Sequence, residues 1–236
     1  MKIRIVYCEE SREDGFYRGD GLSLLVDDRI LFDTGDDPEK LRGNLSRLGI
    51  DTGRLEYVVI SHDHNDHTGG LEAVLSENNS VTVYGCPGFS IGLKEMIESY
   101  GAKYVMLNSF AKISKNIYST GEMKGFYKSC FISEQGLVLS TAKGVVLLTG
   151  CAHPGILRIT EAVRLHLPVD LHMVMGGFHL RAADEATLKD VAKNLKKMHI
   201  NKVGALHCSG DNCKKILKDI YGTDFIDVKT GDTVQV

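Results

Sequence analysis

The residues of this chain best suited to chemistry lie together in Ser61-His62-Asp63-His64-Asn65-Asp66-His67-Thr68-Gly69-Gly70. Residues two apart on an extended chain point the same way, so His62 and His64 present two imidazoles to one metal ion. Asp66 and His67 fall where the chain must turn, and they offer a carboxylate and an imidazole to a second ion. Three histidines and an aspartate in this order arise by chance in roughly one such chain in a thousand, so a chance cluster on a polar loop is the weaker reading. Two divalent ions about 3.5–4 Å apart bind a water, lower its pKa towards about 7 and orient the resulting hydroxide. Asp66, on the second ion, would orient that hydroxide and accept a proton as the intermediate collapses. The predicted chemistry is hydrolysis of an ester, lactone, amide or phosphoester.

Other histidines differ in setting. His207 ends the apolar run Lys202–Leu206 and opens a polar turn, which predicts a metal ligand. His179 follows Gly176-Gly177, where the backbone can approach a ligand closely, so a pocket role is expected, orienting substrate or donating a proton. His166, His172 and His199 lack such surroundings and are read as packing or surface residues. Ser209-Gly210-Asp211 precedes a helical segment, so Ser209 and Gly210 are candidates for receiving an anion there, with an ordinary helix cap as the equal alternative.

These groups must be positioned by regular elements. Strands are predicted at Lys2–Cys8, Leu22–Val26, Ile30–Asp33, Tyr57–Ile60 and Val81–Tyr84, with Asp27-Asp28 as a hairpin turn. A helix is expected over Pro38–Leu48, where Leu41, Leu45 and Leu48 share one face and Pro38 suits the first turn, and another over Gly92–Tyr100. Strands Leu137–Ser140 and Val145–Thr149 flank a turn at Thr141–Gly144, and a helix runs from Gly155 to His166. Strand Leu171–Met175, helix Asp184–Met198, strand Lys202–Leu206 and helix Asn212–Tyr221 complete the pattern. A hairpin-rich opening followed by alternating strand and helix predicts mixed sheets covered by helices, in an α/β class. No Pro/Ser-rich linker or charge tract interrupts residues 1–236, so one domain is expected.

Composition narrows the partners. Lys plus Arg is 28 against 31 for Asp plus Glu, with no sustained basic block, so nucleic acid is not an expected partner and a small-molecule substrate is. No run approaches the roughly 18 apolar residues of a membrane span, and Met1–Cys8 lacks the apolar core of an export signal. The six cysteines contain no CxxC pair, which fits reduced thiols and a cytoplasmic setting better than a disulfide framework.

The HxHxDH pattern of His62, His64, Asp66 and His67 resembles the signature of the metallo-β-lactamase superfamily. Three further segments are similar in order: Leu31-Phe32-Asp33-Thr34-Gly35, Leu147-Leu148-Thr149-Gly150-Cys151 and Val203-Gly204-Ala205-Leu206-His207. The resemblance implies a four-layer αββα sandwich of two mixed β-sheets with helices on the outer faces. It also implies that Asp33 supports the metal loop from behind, that Cys151 stands where a bridging Asp or Cys is found, and that His207 is the final ligand. Members place a further histidine before the strand at Leu137–Ser140, but the stretch here reads Ile132-Ser133-Glu134-Gln135-Gly136. Either Glu134 substitutes as an oxygen ligand or His153 supplies the imidazole, and His153 is favoured. Cys151 as a ligand and Cys151 as a small buried thiol stand equal. Thr149–Gly155, Gly176–Leu180 and His207–Gly210 further resemble a subfamily labelled dihydropterin-ribofuranosylaminobenzene phosphate synthases, which implies a phosphorylated substrate and methanopterin-like metabolism.

The expected protein is a binuclear metal hydrolase of a small, anionic molecule, with Asp66 and His179 as catalytic groups. Zinc suits the ligand set best, with manganese, iron and nickel compatible. Two other classes remain. One is an iron-binding redox or sensing module, which His64 argues against because the iron-bearing relatives commonly carry Glu there. The other is a non-catalytic metal-binding interaction protein.

Overall fold

Short apolar runs in the first half of the chain build most of a mixed sheet whose parallel strands all deliver their carboxyl ends to one edge. In the computed structural model, which describes residues 1–167 and 169–236, the chain forms two compact units. The first comprises Met1–Asn108 with Val228–Val236, and the second Ser109–Asp227.

The first unit opens with β1 (Lys2–Tyr7), β2 (Ser23–Val26) and β3 (Ile30–Phe32), joined antiparallel in sequence. Asp27 and Asp28 turn the β2–β3 hairpin at φ +48° and +56°, left-handed values that Asp tolerates because its short side chain can bond locally. Helix α1 (Pro38–Arg47) starts where Asp37 caps the Lys40 N–H at 2.9 Å, with Pro38 in its first turn. Then come β4 (Tyr57–Val59), the short helices α2 (Asn65–Thr68) and α3 (Leu71–Leu75), β5 (Thr82–Gly85), α4 (Ile91–Ser99) and β6 (Lys103–Met106). Strands β3, β4, β5 and β6 run parallel. Leu41 and Leu45 of α1, Leu71 and Val74 of α3 and Ile97 of α4 share a buried core with Val6, Leu31, Val58 and Val83 of the sheet. Burial of these side chains, worth about 1.5–3 kcal/mol each, fixes the strand register and so the loops that leave the strand ends.

The second unit contains β7 (Ala111–Ser114), β8 (Ile117–Ser119), β9 (Met123–Tyr127), β10 (Cys130–Glu134), β11 (Leu137–Thr141) and β12 (Gly144–Thr149). Helix α5 (Ile156–His166), β13 (Leu171–Gly177), α6 (Glu185–Lys197), β14 (Lys202–Leu206) and α7 (Asp211–Tyr221) follow. The six-stranded sheet has the order β14-β13-β12-β11-β8-β7, with β12, β13 and β14 parallel and the rest antiparallel, and β9 and β10 form a separate hairpin. Ile156, Ile159 and Val163 of α5, Leu188, Ala192 and Leu195 of α6, and Leu217 of α7 pack with Val145, Leu147, Val174 and Val203. The last strand, β15 (Thr233–Gln235), returns to the first unit and pairs antiparallel with β1, giving a seven-stranded sheet β15-β1-β2-β3-β4-β5-β6.

Two mixed sheets with helices agree with the α/β class expected from the sequence. The segment from Lys103 to Glu134 adds five strands that the hydrophobic pattern does not announce, β6 to β10. Asp66 and His67, expected in a turn, occupy the single-turn helix α2, whose first residue follows His64 in extended backbone. No helix among the described residues is long and apolar enough to cross a membrane. No disulfide joins any of the six cysteines.

Candidate metal centre

In each unit the reactive side chains gather where parallel strands end. That edge is where open α/β sheets generally bind ligands, because loops there are held by rigid strands.

In the first unit, Asp33 follows β3 and the segment from Ser61 follows β4. Asp33 sits fully buried at φ +59°, a strained conformation for a residue with a Cβ. Its carboxylate accepts the Ser61 N–H at 2.6 Å and the Ser61 hydroxyl at 2.7 Å, and it lies 2.7 Å from His67 Nδ1. Ser61 Oγ is in turn 2.9 Å from His62 Nδ1. One carboxylate therefore orients His67 directly and His62 through a hydroxyl. Because Asp33 engages Nδ1 of His67, the nitrogen that His67 can offer a metal is Nε2. Burial alone disfavours a charged imidazole, but Asp33 overrides it and raises His67 to about 10.

The donors converge. The His62 and His67 ring centroids are 4.1 Å apart and those of His62 and His64 4.7 Å, with His62 Nε2 3.2 Å from His64 Nδ1. Asp66 Oδ2 lies 3.5 Å from His67 Nε2. The loop after β3 clamps α2 from the other side, where Thr34 donates its N–H and its hydroxyl to the His67 carbonyl at 2.8 and 2.9 Å. Gly70 is needed for that clamp, since a Cβ there would sit 2.1 Å from the Thr34 carbonyl oxygen.

In the second unit, β12, β13 and β14 lead into loops that carry Cys151–His153, Phe178–His179 and His207–Cys208. Ala152, His179 and His207 adopt φ of +59°, +54° and +51°, so strain recurs at all three strand ends. Glu134 lies at the end of β10, just before β11 begins, and is 1% exposed. Its Oε1 accepts the N–H groups of Cys151 at 2.9 Å and Ala152 at 2.7 Å. Its Oε2 accepts the His153 N–H at 2.7 Å and lies 2.9 Å from His153 Nδ1. Burial would raise the Glu134 carboxyl, but His153 and these N–H groups outweigh it and hold it below its ordinary value.

Glu134 turns both oxygens to the loop, and its Oε2 lies against His153 Nδ1, so Nε2 is the nitrogen that His153 could offer a metal. Cys151, His153 and His179 bring ligand atoms within 4.8 Å of one another, and Cys151 and His207 do likewise. His207 is 2% exposed. Gly125 of β9 packs on His153, and the Tyr127 ring meets the His153 and His179 rings at centroid distances of 5.4 and 5.2 Å.

Cys208, which the sequence did not single out, lies beside this group. Its sulfur accepts the His179 N–H at 3.3 Å. Burial would raise its thiol, but Cys151, His179 and His207 pull it well below the usual thiol range, and the hydrogen bond to Cys208 raises His179. Ser209 is buried; its hydroxyl donates to the Leu206 carbonyl at 2.7 Å and accepts the Phe178 N–H at 3.1 Å, so it fastens the ends of β13 and β14. Gly210 precedes α7 at φ +78° without a side-chain cap. The three histidines read as bland are so placed: His166 stacks on Phe110 at 4.6 Å, His172 lies 3.5 Å from Asn201 Nδ2, and His199 ends the α6 connection at φ +56°.

Residues 17–90 match the metallo-beta-lactamase superfamily. The chain is 27% identical over 267 residues to the 7,8-dihydropterin-6-methyl-4-(beta-D-ribofuranosyl)-aminobenzene-5'-phosphate synthase of Methanocaldococcus jannaschii, a match covering 93% of this chain and 91% of that protein. The structure of Tm1679, described as a metal-dependent hydrolase of the beta-lactamase superfamily, matches with a TM-score of 0.84 at 26% identity, over 100% of this chain and 99% of that one. The metallo-beta-lactamase fold protein YhfI from Bacillus subtilis matches in fold, with a TM-score of 0.70 at 13% identity and 99% coverage of both chains.

Proposed function

We propose that this chain, a metallo-beta-lactamase superfamily protein in sequence and fold, is a metal-dependent hydrolase of a small anionic ester or phosphoester. The observation that carries the reading is a repeated device. A buried carboxylate grips Nδ1 of one imidazole in each unit, Asp33 on His67 and Glu134 on His153, and so aims Nε2 as a donor. Such carboxylate and histidine pairs are how proteins hold zinc ligands in one tautomer, and a core residue serving packing alone has no need of them.

The donor set fits a divalent transition metal. His62, His64, Asp66 and His67 of the first unit and Cys151, His153 and His207 of the second would hold it, and each of them belongs to a group whose ligand atoms lie within 4.8 Å of one another. Imidazole, carboxylate and thiolate together suit zinc, in two ions. When bound, the metal supplies a hydroxide at neutral pH and a positive field for the developing oxyanion.

The chain's own residues do the rest. Asp66, whose side chain is 31% exposed, reaches solvent and can accept a proton at Oδ2 during attack. His179, exposed at the end of β13 and with its pKa raised through Cys208, can donate a proton to a leaving oxygen. The phosphorylated ligand class named for the Methanocaldococcus relative agrees with an anionic substrate, and we carry that class, rather than that compound, to this chain.

Asp66→Ala in a metal-replete preparation tests the reading. Turnover of responsive esters and phosphoesters should fall at least about 100-fold, with metal content measured alongside because Asp66 is also one of the proposed ligands. Unchanged turnover on every responsive compound would remove the mechanism. Stoichiometric redox-active iron with no hydrolysis would instead favour an electron-transfer or sensing role.

A further inference from the structure

Helix α2 is a single turn, too short to satisfy its own carbonyls. The Asn65 carbonyl accepts the Gly69 N–H at 2.7 Å, but the Gly70 N–H, which would meet the Asp66 carbonyl in a longer helix, goes to the Gly35 carbonyl at 3.3 Å. The Asp66 carbonyl accepts the Leu22 N–H at 3.3 Å instead, and the Leu22 carbonyl accepts the Gly35 N–H at 3.0 Å. Three segments, at Leu22, Gly35 and Asp66–Gly70, thus close a ring of backbone hydrogen bonds. His67 and His153 are set through their side chains by Asp33 and Glu134. The backbone of Asp66 is set by this ring.

The ring rests on one side-chain pair in the first unit. Tyr7, fully buried at the end of β1, donates its hydroxyl to Asp36, and Asp36 Oδ1 also lies 3.5 Å from Lys40 Nζ. Burial, then the bond to Asp36 and the charges of Asp36, Asp37 and Asp20, raise the Tyr7 hydroxyl above its ordinary range, so it stays a donor. Two glycines let the chain close on the pair and on α2. A Cβ at Gly19 would fall on the Tyr7 hydroxyl and 2.9 Å from Asp36 Oδ2, and one at Gly21 would lie 2.6 Å from the Asp66 carbonyl oxygen. Beyond the pair, the Asp36 carbonyl accepts the Asn65 side-chain amide at 3.4 Å, one residue before Asp66. The Asp36 side chain is 24% exposed and needs no partner to remain charged, so the bond matters for where it holds the 34–37 loop.

We propose that Tyr7, through Asp36, is a positioning residue for Asp66, locking the ring that fixes α2 and so the direction of the Asp66 carboxylate. The assignment rests on the hydrolase reading and extends it to a tyrosine that touches neither a proposed metal donor nor the reacting atoms. Loss of the lock should show in the chemical step and leave substrate affinity alone, because the group displaced acts on the proton and binds no part of the substrate.

Kinetics per bound metal ion test it. In zinc-replete protein, Tyr7→Phe and Asp36→Ala should each lower kcat about tenfold, with KM and metal content within about twofold of wild type. Asp36→Ala trims a part-exposed side chain and serves if Tyr7→Phe fails to fold. The double variant should fall no further than either single one, since both remove the same bond, and additive losses would overturn the shared role. Asp36→Asn, whose amide oxygen still accepts the Tyr7 hydroxyl, should recover most of the turnover that Asp36→Ala loses. A role in folding alone would lower the unfolding temperature with kcat per bound metal ion unchanged, and that result overturns the proposal. So does an Asp36→Asn protein as slow as Asp36→Ala. Hydrogen exchange at the Leu22 and Gly70 N–H groups of the zinc-loaded protein reads the ring without turnover. Exchange should quicken at least about tenfold in Tyr7→Phe, and unchanged exchange at both overturns the lock. A wild type that hydrolyses nothing, with exchange quickened in the variant, marks failure of the hydrolase reading and leaves the lock standing.

Discussion

Glu134→Gln is the substitution in which the site's stability and its chemistry are most tightly joined. The carboxylate accepts four hydrogen bonds, two at each oxygen, from Cys151, Ala152 and twice from His153. A glutamine amide can place its NH₂ at either position, and whichever it chooses sets a donor against two donors. Each buried N–H so orphaned costs about 1–3 kcal/mol, so the variant should lose about 2–6 kcal/mol. That is a large share of a domain stability of about 5–15 kcal/mol. If the imidazole responds by turning Nδ1 into an acceptor, Nε2 takes up the proton and can no longer ligate, so zinc affinity should also fall about 10–100-fold. Urea unfolding of the metal-free protein at neutral pH gives the first quantity, and competition with a chromophoric chelator gives the second. His153→Ala separates them, since it keeps the three backbone bonds and removes only the imidazole. A Glu134→Gln protein within about 0.5 kcal/mol of wild type, with unchanged zinc affinity, would refute the reasoning.

Two further outcomes follow from local contacts. Gly125→Ala would put a Cβ 2.4 Å from the His153 carbonyl carbon and 2.6 Å from Pro154 N, both backbone atoms, so the β9–β10 hairpin must move. A loss of about 1–3 kcal/mol is expected in thermal unfolding, together with reduced turnover as Tyr127 and Glu134 shift with the hairpin. Asp232 accepts from Arg12 Nε at 3.0 Å and Nη2 at 2.7 Å; burial alone would raise its carboxyl, but Arg12 and the Lys229 N–H hold it below the ordinary value. A carboxyl depressed in the folded state adds stability above its unfolded pKa and loses it as pH falls through the folded value. Asp232→Asn should therefore cost at most about 1 kcal/mol at pH 7 for this part-exposed pair, and the gap from wild type should close in unfolding titrations carried below pH 3.8.

The histidine loop was legible because its information is local. His62, His64, Asp66 and His67 follow one apolar strand, and their spacing alone brings the donors together. Asp33 was legible only through resemblance, since its contact with His67 spans 34 residues. Glu134 was half legible. The sequence offered it as the less favoured of two candidate ligands beside His153, and its carboxylate holds the 151–153 loop, a contact that reaches across 19 residues. The hairpin carrying it escaped notice for a physical reason. β9 and β10 expose Phe126 and Phe131 at 60% and 78%, and their turn puts Lys128 and Ser129 at φ +44° and +67° where glycine or asparagine would have signalled a hairpin. Cys208 was legible only as part of the His207–Gly210 segment, with no role of its own. Its importance comes from the crowding of its sulfur against Gly177, where a Cβ would lie 2.7 Å away, and from the His179 N–H it accepts.

The central claim is that imidazoles held by Asp33 and Glu134 make this protein a metal-dependent hydrolase, and metal content measured alongside turnover tests it most directly. The purified protein should contain stoichiometric divalent transition metal by elemental analysis. Removing it with a chelator should abolish hydrolysis of every responsive ester or phosphoester, and zinc should restore it. His67→Ala and His153→Ala should each lower the metal content. Full turnover by the metal-free protein, or unchanged metal content in both variants, would contradict the account.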